Sequence, residues 1–124
     1  MKHLTNREEE IMEFFWQKGP MFVKDLIELF PKPKPHYNTI STMVRGLEDK
    51  GFLNHEQFGN TYRYFAIITR EEFSNSSIKN LVSKYFNASY SSVVSMFVEE
   101  QKISTEEIQE LIRQAESRKN KKNE

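Results

Sequence analysis

The chain has 124 residues, with 18 Lys and Arg against 18 Asp and Glu and a formal net charge of zero at pH 7. Its hydrophobic fraction of 37%, including 13% aromatics, is enough for one packed domain or a small domain with an appendage. No Cys is present, which excludes a disulfide framework and a thiolate metal site, and no apolar run approaches the roughly 18 residues of a membrane span.

The first residues lack the basic, apolar and small-residue pattern of a secretion signal, so the expected location is the cytoplasm, without stable membrane association. A first helix is predicted from Thr5, which forms a capping-box pattern with Glu8. Ile11, Met12, Phe14, Phe15 and Trp16 give it a wide apolar face, and Gly19-Pro20 ends it. A second, short helix covers about Val23 to Phe30, with Val23, Leu26, Ile27 and Phe30 inward. Pro31, Pro33 and Pro35 break it, because each disfavours helix at the residue before it. The stiff Pro-Lys-Pro-Lys-Pro connector then fixes where a third helix begins.

The third helix runs from about Tyr37 to Lys50 and stops at Gly51. Ile40, Met43, Val44 and Leu47 recur at helical spacing on one face. The other face offers Asn38, Thr39, Ser41, Thr42 and Arg45, with no acid until Glu48. Short hydroxyl and amide groups with one guanidinium suit close approach to phosphates and base edges of a double-stranded DNA. Thr39, Thr42 and Arg45, three apart, point the same way. Arg can pair bidentately with guanine, and Thr can meet a thymine methyl or a phosphate. Plain solvation of this face is the plainer alternative. Lys32, Lys34 and His36 precede the helix in a stretch without acids, from Leu29 to Leu47, and are candidate phosphate contacts or simply an exposed loop. The zero net charge counts against a nucleic-acid partner, and this local basic stretch counts for one.

Phe52 to Phe58 reads as a strand, Gly59-Asn60 as a turn, and Thr61 to Ile67 as the return strand. Asn60, Thr61 and Arg63 at the tip are candidates for contact with a DNA backbone or minor groove, although hairpin tips are polar in any case. The fold class is therefore α+β, mostly α: a winged helix-turn-helix over residues 1–70. Such units also occur as protein-binding scaffolds, so an assembly module without DNA binding is the alternative function.

Thr69 and Glu72 form another capping-box pattern before a helix carrying Phe73, Ile78, Leu81, Val82, Tyr85 and Phe86. A short helix with Val93, Val94, Phe97 and Val98 follows. Ser104 and Glu107 cap a last one carrying Ile108, Leu111, Ile112 and Ala115. Residues 119–124 are polar and are expected to fray. Helices over 71–118 amount to too short a chain to close a core well alone. Burial against a second copy, as a two-fold dimer, is expected, through Ile78, Leu81, Val82, Tyr85, Val94, Phe97, Val98, Ile108, Leu111 and Ile112. Folding back onto the first domain is the alternative. His3, His36 and His55 have no ligand-like spacing, and no catalytic triad order, phosphate loop or carboxylate pair stands out. Neither a metal, a cofactor nor an enzyme activity is expected.

The order of these elements resembles the penicillinase-repressor family. The matching residues are Leu4-Thr5-Asn6-Arg7-Glu8-Glu9-Glu10-Ile11-Met12, Trp16, Gly19-Pro20, Tyr37-Asn38-Thr39-Ile40-Ser41-Thr42, Leu47, Lys50-Gly51-Phe52-Leu53 and Gly59-Asn60-Thr61-Tyr62-Arg63-Tyr64. Phe97-Val98-Glu99-Glu100 and Ile103-Ser104-Thr105-Glu106-Glu107-Ile108 extend the likeness to the tail. The resemblance implies a homodimeric repressor whose winged helices each read half of a palindromic operator. It also implies a membrane-bound metalloprotease sensor as a partner, which in the best-known members triggers cleavage in the C-terminal region. The matching bond is Met96–Phe97, with Met96 where those relatives have Asn. Thr39 and Thr42 match the family's contact positions. Many relatives carry Arg where this chain has Gly46; Arg45 is one position earlier, about 100° around the helix. The absence of Cys excludes the family's copper-sensing branch.

Overall fold

A computed structural model describes residues 1–122, as helices α1 (Asn6–Lys18), α2 (Val23–Glu28), α3 (Tyr37–Asp49), α4 (Arg70–Tyr85), α5 (Tyr90–Glu99) and α6 (Thr105–Lys122) with strands β1 (Met21–Phe22), β2 (Leu53–Phe58) and β3 (Thr61–Ala66). The protein is mostly helical, with one small antiparallel sheet in the order β1-β3-β2. That arrangement is compatible with a winged helix. Two compact units divide the chain, one over Met1–Ser76 and one from Ser77 on.

Local chemistry sets each boundary in the first unit. Thr5 Oγ1 accepts the Glu8 amide at 3.2 Å while Glu8 Oε1 accepts the Thr5 amide at 2.8 Å, the reciprocal bonds that the sequence pattern predicts. Gly19, at φ +82°, returns its N–H to the Phe15 carbonyl and closes α1. The sequence gives no periodic signal for β1, because two residues are too short to show one. Pairing of Met21 with Tyr64 and Phe22 with Arg63 adds this strand to the expected hairpin and makes it a three-stranded sheet. The expected second helix is also shorter: α2 ends at Glu28, and Phe30 reaches the core through a turn whose N–H bonds the Ile27 carbonyl at 3.1 Å.

The core holds Ile11, Met12 and Phe15 of α1, Leu26 of α2, Ile40, Val44 and Leu47 of α3, and Phe52, Leu53 and Tyr64 around the sheet. The start of α4 belongs to this unit, beyond the boundary at residue 70 that the sequence suggests. Phe73 packs on Trp16 and Phe52, each at 5.8 Å between ring centroids. Arg70 binds Glu13 and lies over Trp16, whose indole N–H donates to the Ile68 carbonyl at 2.8 Å.

In the second unit Ser89 caps α5 and Ser104 caps α6, each accepting the amide three residues on. Asn87 and Ala88 take positive φ between α4 and α5. Helix α6 continues to Lys122, through part of the end expected to fray; residues 123–124 lie outside the described residues.

A largely buried charged pair ties α1 to the end of α3. Glu8 is 6% exposed, and its two oxygens accept from Lys50 Nζ at 2.8 and 3.0 Å. The same ammonium donates to the His3 carbonyl at 3.1 Å. Burial pushes the Glu8 carboxyl up, but the bonds from Lys50 and Thr5 outweigh it and hold the group below its ordinary value of 4.5. A carboxylate lowered on folding contributes its full stability above the ordinary value and loses it as pH falls through the lowered one. Lys50→Met should therefore cost about 1.5–3 kcal/mol in urea unfolding at neutral pH. It should also flatten the loss of stability on acidification below pH 4.5. Equal stability of variant and parent would show that the pair adds nothing.

Candidate nucleic-acid interface

Helix α3 is oriented by its apolar side. Ile40, Val44 and Leu47 are fully buried, so the opposite side must face solvent. Asn38, Thr39, Thr42 and Arg45 are exposed there, and Ser41 is half-buried at its edge. The first acid, Glu48, is half-buried and bonded to His55 Nδ1 on β2, so the exposed face of the first turns carries no free carboxylate. Arg45 lies back along the helix. Its Nε donates to the Ser41 carbonyl at 3.4 Å and its Nη2 to Thr42 Oγ1 at 3.3 Å. Both bonds are long and exposed, so little holds the guanidinium against a better acceptor.

The basic segment before α3 divides. Lys32 and His36 are exposed. Lys34 instead turns back to the end of α2, donating to the carbonyls of Glu28 at 3.0 Å and Phe30 at 3.3 Å, with the Glu28 carboxylate at 3.6 Å. It satisfies carbonyls that a helix end leaves open, which is a capping role that spacing alone does not reveal.

The hairpin divides as well. Side chains alternate across a strand, and β3 sends Tyr62 and Tyr64 to the side facing α3 and Arg63 to the other. There Arg63 lies over the Phe58 ring at 4.7 Å and beside Glu56 at 3.7 Å. Asn60 and Thr61 stay exposed at the tip, where Thr61 Oγ1 donates to the Phe58 carbonyl at 3.0 Å and Gly59 takes φ +60°. Sequence reasoning grouped Arg63 with the tip and passed over Tyr62; strict alternation separates them. On the α3 side His55 stacks on Tyr62 at 4.2 Å between ring centroids and holds Glu48, a chain that ties the hairpin to α3. Burial, then the nearby Glu48 carboxylate, raises the Tyr64 hydroxyl above its ordinary value and keeps it protonated.

The arrangement offers one exposed helix face of hydroxyl, amide and guanidinium groups beside a projecting hairpin. A sequence model described as "Penicillinase repressor" matches residues 4–117. The chain belongs to the penicillinase repressor family. This is a family of transcriptional repressors, not of enzymes. The chain is similar to the "Penicillinase repressor" of Bacillus licheniformis, 29% identical over 122 residues, which is 98% of this chain and 95% of that one. It is similar to the "Methicillin resistance regulatory protein MecI" of Staphylococcus aureus strain N315, 27% identical over 109 residues, 87% of this chain and 89% of that one. A 16.5 kDa uncharacterized protein of Latilactobacillus sakei is 33% identical over 79 residues, 63% of this chain and 54% of that one. Among the described residues no helix is long and apolar enough to cross a membrane.

Membership of a repressor family sharpens the question of Gly46, which follows Thr39 and Thr42 on one stripe of α3 by helical spacing. A Cβ placed there meets nothing within 4 Å, so packing does not require the glycine. Gly46→Ala should raise stability by about 0.5–1 kcal/mol in thermal or urea unfolding. A destabilised variant would show that the helix is constrained at this point in a way the fold does not reveal.

Proposed function

We propose that this protein is a homodimeric transcriptional repressor in which a winged helix-turn-helix reads half of a palindromic DNA operator and α4–α6 join the two copies. The observation that carries the reading is the outer face of α3, free of acids from Tyr37 to Leu47, exposed beside the hairpin and held there by its buried apolar side. In this reading Thr39, Thr42 and Arg45 face base edges, while Asn38, Ser41, Lys32, His36 and the Asn60–Thr61 tip meet the backbone. Phosphate contacts make binding fall with salt. A two-fold dimer places half-site centres about one helical turn, or a multiple of it, apart.

Support for the dimer comes from what the second unit leaves open. Among the described residues from Ser77 on, only Val82 is fully buried. Ile78, Leu81, Tyr85, Val94, Phe97, Leu111 and Ile112 are exposed, Tyr85 at 69%, and Val98 and Ile108 are half-buried. So much exposed apolar surface on these helices supports the reading of an association face. Val82, already buried in the single chain, is not free to contribute to it.

The Met96–Phe97 bond lies inside α5, with Phe97 42% exposed. Relief of repression by a membrane-bound metalloprotease sensor at this bond requires α5 to open locally first. The cut would separate the two DNA-binding units and remove the affinity gained by bivalency. Sequencing of the fragment released on induction should begin at Phe97; an intact chain after induction removes cleavage from the account.

Two substitutions test the rest. Leu81→Glu with Leu111→Glu should convert a dimer to a monomer in sedimentation equilibrium and weaken duplex binding by 10-fold or more, roughly the lower bound expected when bivalency is lost; a monomeric parent would contradict the dimer. Arg45→Ala should weaken operator binding by about 1–3 kcal/mol and leave random-sequence binding nearly unchanged. Equal loss on both would make Arg45 a phosphate contact instead, and no loss on either would remove it from the interface.

A further inference from the structure

A cleft of about 270 Å³ opens between the first turns of α3, the start of α2 and the hairpin. Lys24, Tyr37, Ser41, Asn60 and Tyr62 line it with an ammonium, three hydroxyls and an amide, and among the described residues no acidic side chain lines it. Such a set of donors without a carboxylate is the chemistry of an anion site. A cleft of that volume has ample room for a phosphodiester group.

We propose that this cleft seats a backbone phosphate of the bound DNA, gripped by Lys24 and by the Tyr37 and Tyr62 hydroxyls. The inference rests on the DNA-binding reading above and names residues that it did not include. Position argues for DNA as the source of the anion. Ser41 belongs both to the cleft and to the edge of the exposed α3 face, so a strand lying along that face passes the cleft mouth. Asn60 brings the hairpin tip to the opposite wall. The walls are held apart at a set width: Tyr62 stacks on His55, and His55 binds Glu48 of α3. Tyr37 and Tyr62 are each about half exposed, at 53% and 45%, although both are large aromatics. Both side chains are therefore accessible to a strand passing the cleft. The phosphate fixes the register of α3 in the groove and carries no sequence information itself.

The test measures binding of the full-length protein to a short mixed-sequence duplex as a function of salt. Lys24→Met should reduce the slope of log K against log salt by about 0.9 per subunit bound. The pair Tyr37→Phe with Tyr62→Phe should weaken binding roughly 2- to 10-fold, with the salt slope unchanged. All three side chains lie at the surface, and an unchanged Tm confirms that each variant folds. His55→Ala, which loosens the Tyr62 wall without removing a donor, should weaken binding less than the tyrosine pair. The proposal is overturned if the parent binds the duplex and Lys24→Met keeps its full salt slope, or if the tyrosine pair binds as the parent does. A parent that binds no duplex even at low salt overturns the DNA-binding reading itself, and this inference with it.

Discussion

The Lys50 ammonium, held between the Glu8 carboxylate and the His3 carbonyl, fixes the C-terminal end of α3 to the start of α1. Four features then become consistent with one another. The Thr5–Glu8 capping box starts α1 at the point where its carboxylate is needed. Gly51, at φ +85°, turns the chain directly after Lys50, and Phe52 enters the core. One turn earlier Glu48 binds His55 and sets the hairpin beside the helix. With the C-terminal end of α3 referred to fixed neighbours, its buried stripe of Ile40, Val44 and Leu47 leaves Thr39, Thr42 and Arg45 on a surface whose position the rest of the unit determines. An interface built on a rigid helix holds its donors more accurately than one built on a loop.

The second unit follows a different rule. Its helices start at well-defined caps, so their existence is local, yet their apolar side chains stay largely open in the single chain. Stability there depends on what covers those side chains. The proposed second copy would do so and would double the number of exposed α3 faces, and association of two weakly binding units multiplies affinity without any new contact to the ligand. Under that proposal a break in α5 would remove the coupling and leave each α3 face intact.

Much of this was legible in the sequence because it is written in local patterns. Capping boxes at Thr5 and Thr69, the glycines at 19, 51 and 59, and the helical spacing of Ile40, Val44 and Leu47 each act over a few residues. The features that were not legible depend on contacts distant in sequence or on strand register. Strand β1 exists because Met21 and Phe22 find Tyr64 and Arg63 across the sheet. Lys34 reads as a basic residue available to a ligand, and only its reach back to the α2 carbonyls shows it to be occupied. Arg63 and Tyr62 fall on opposite faces once alternation along β3 is imposed, and Val82 is buried within the single chain. Lys24 carries no motif at all; it becomes notable through the cleft it shares with residues from three other elements.

The most direct measurement is selection of bound duplexes from a random DNA pool by the full-length protein at near-physiological salt. The account predicts enrichment of an inverted repeat whose half-site centres lie about 10–10.5 bp, or a multiple of that, apart. Recovery of no enriched sequence, together with no binding at low salt, would contradict it and would place the exposed face of α3 in protein assembly instead.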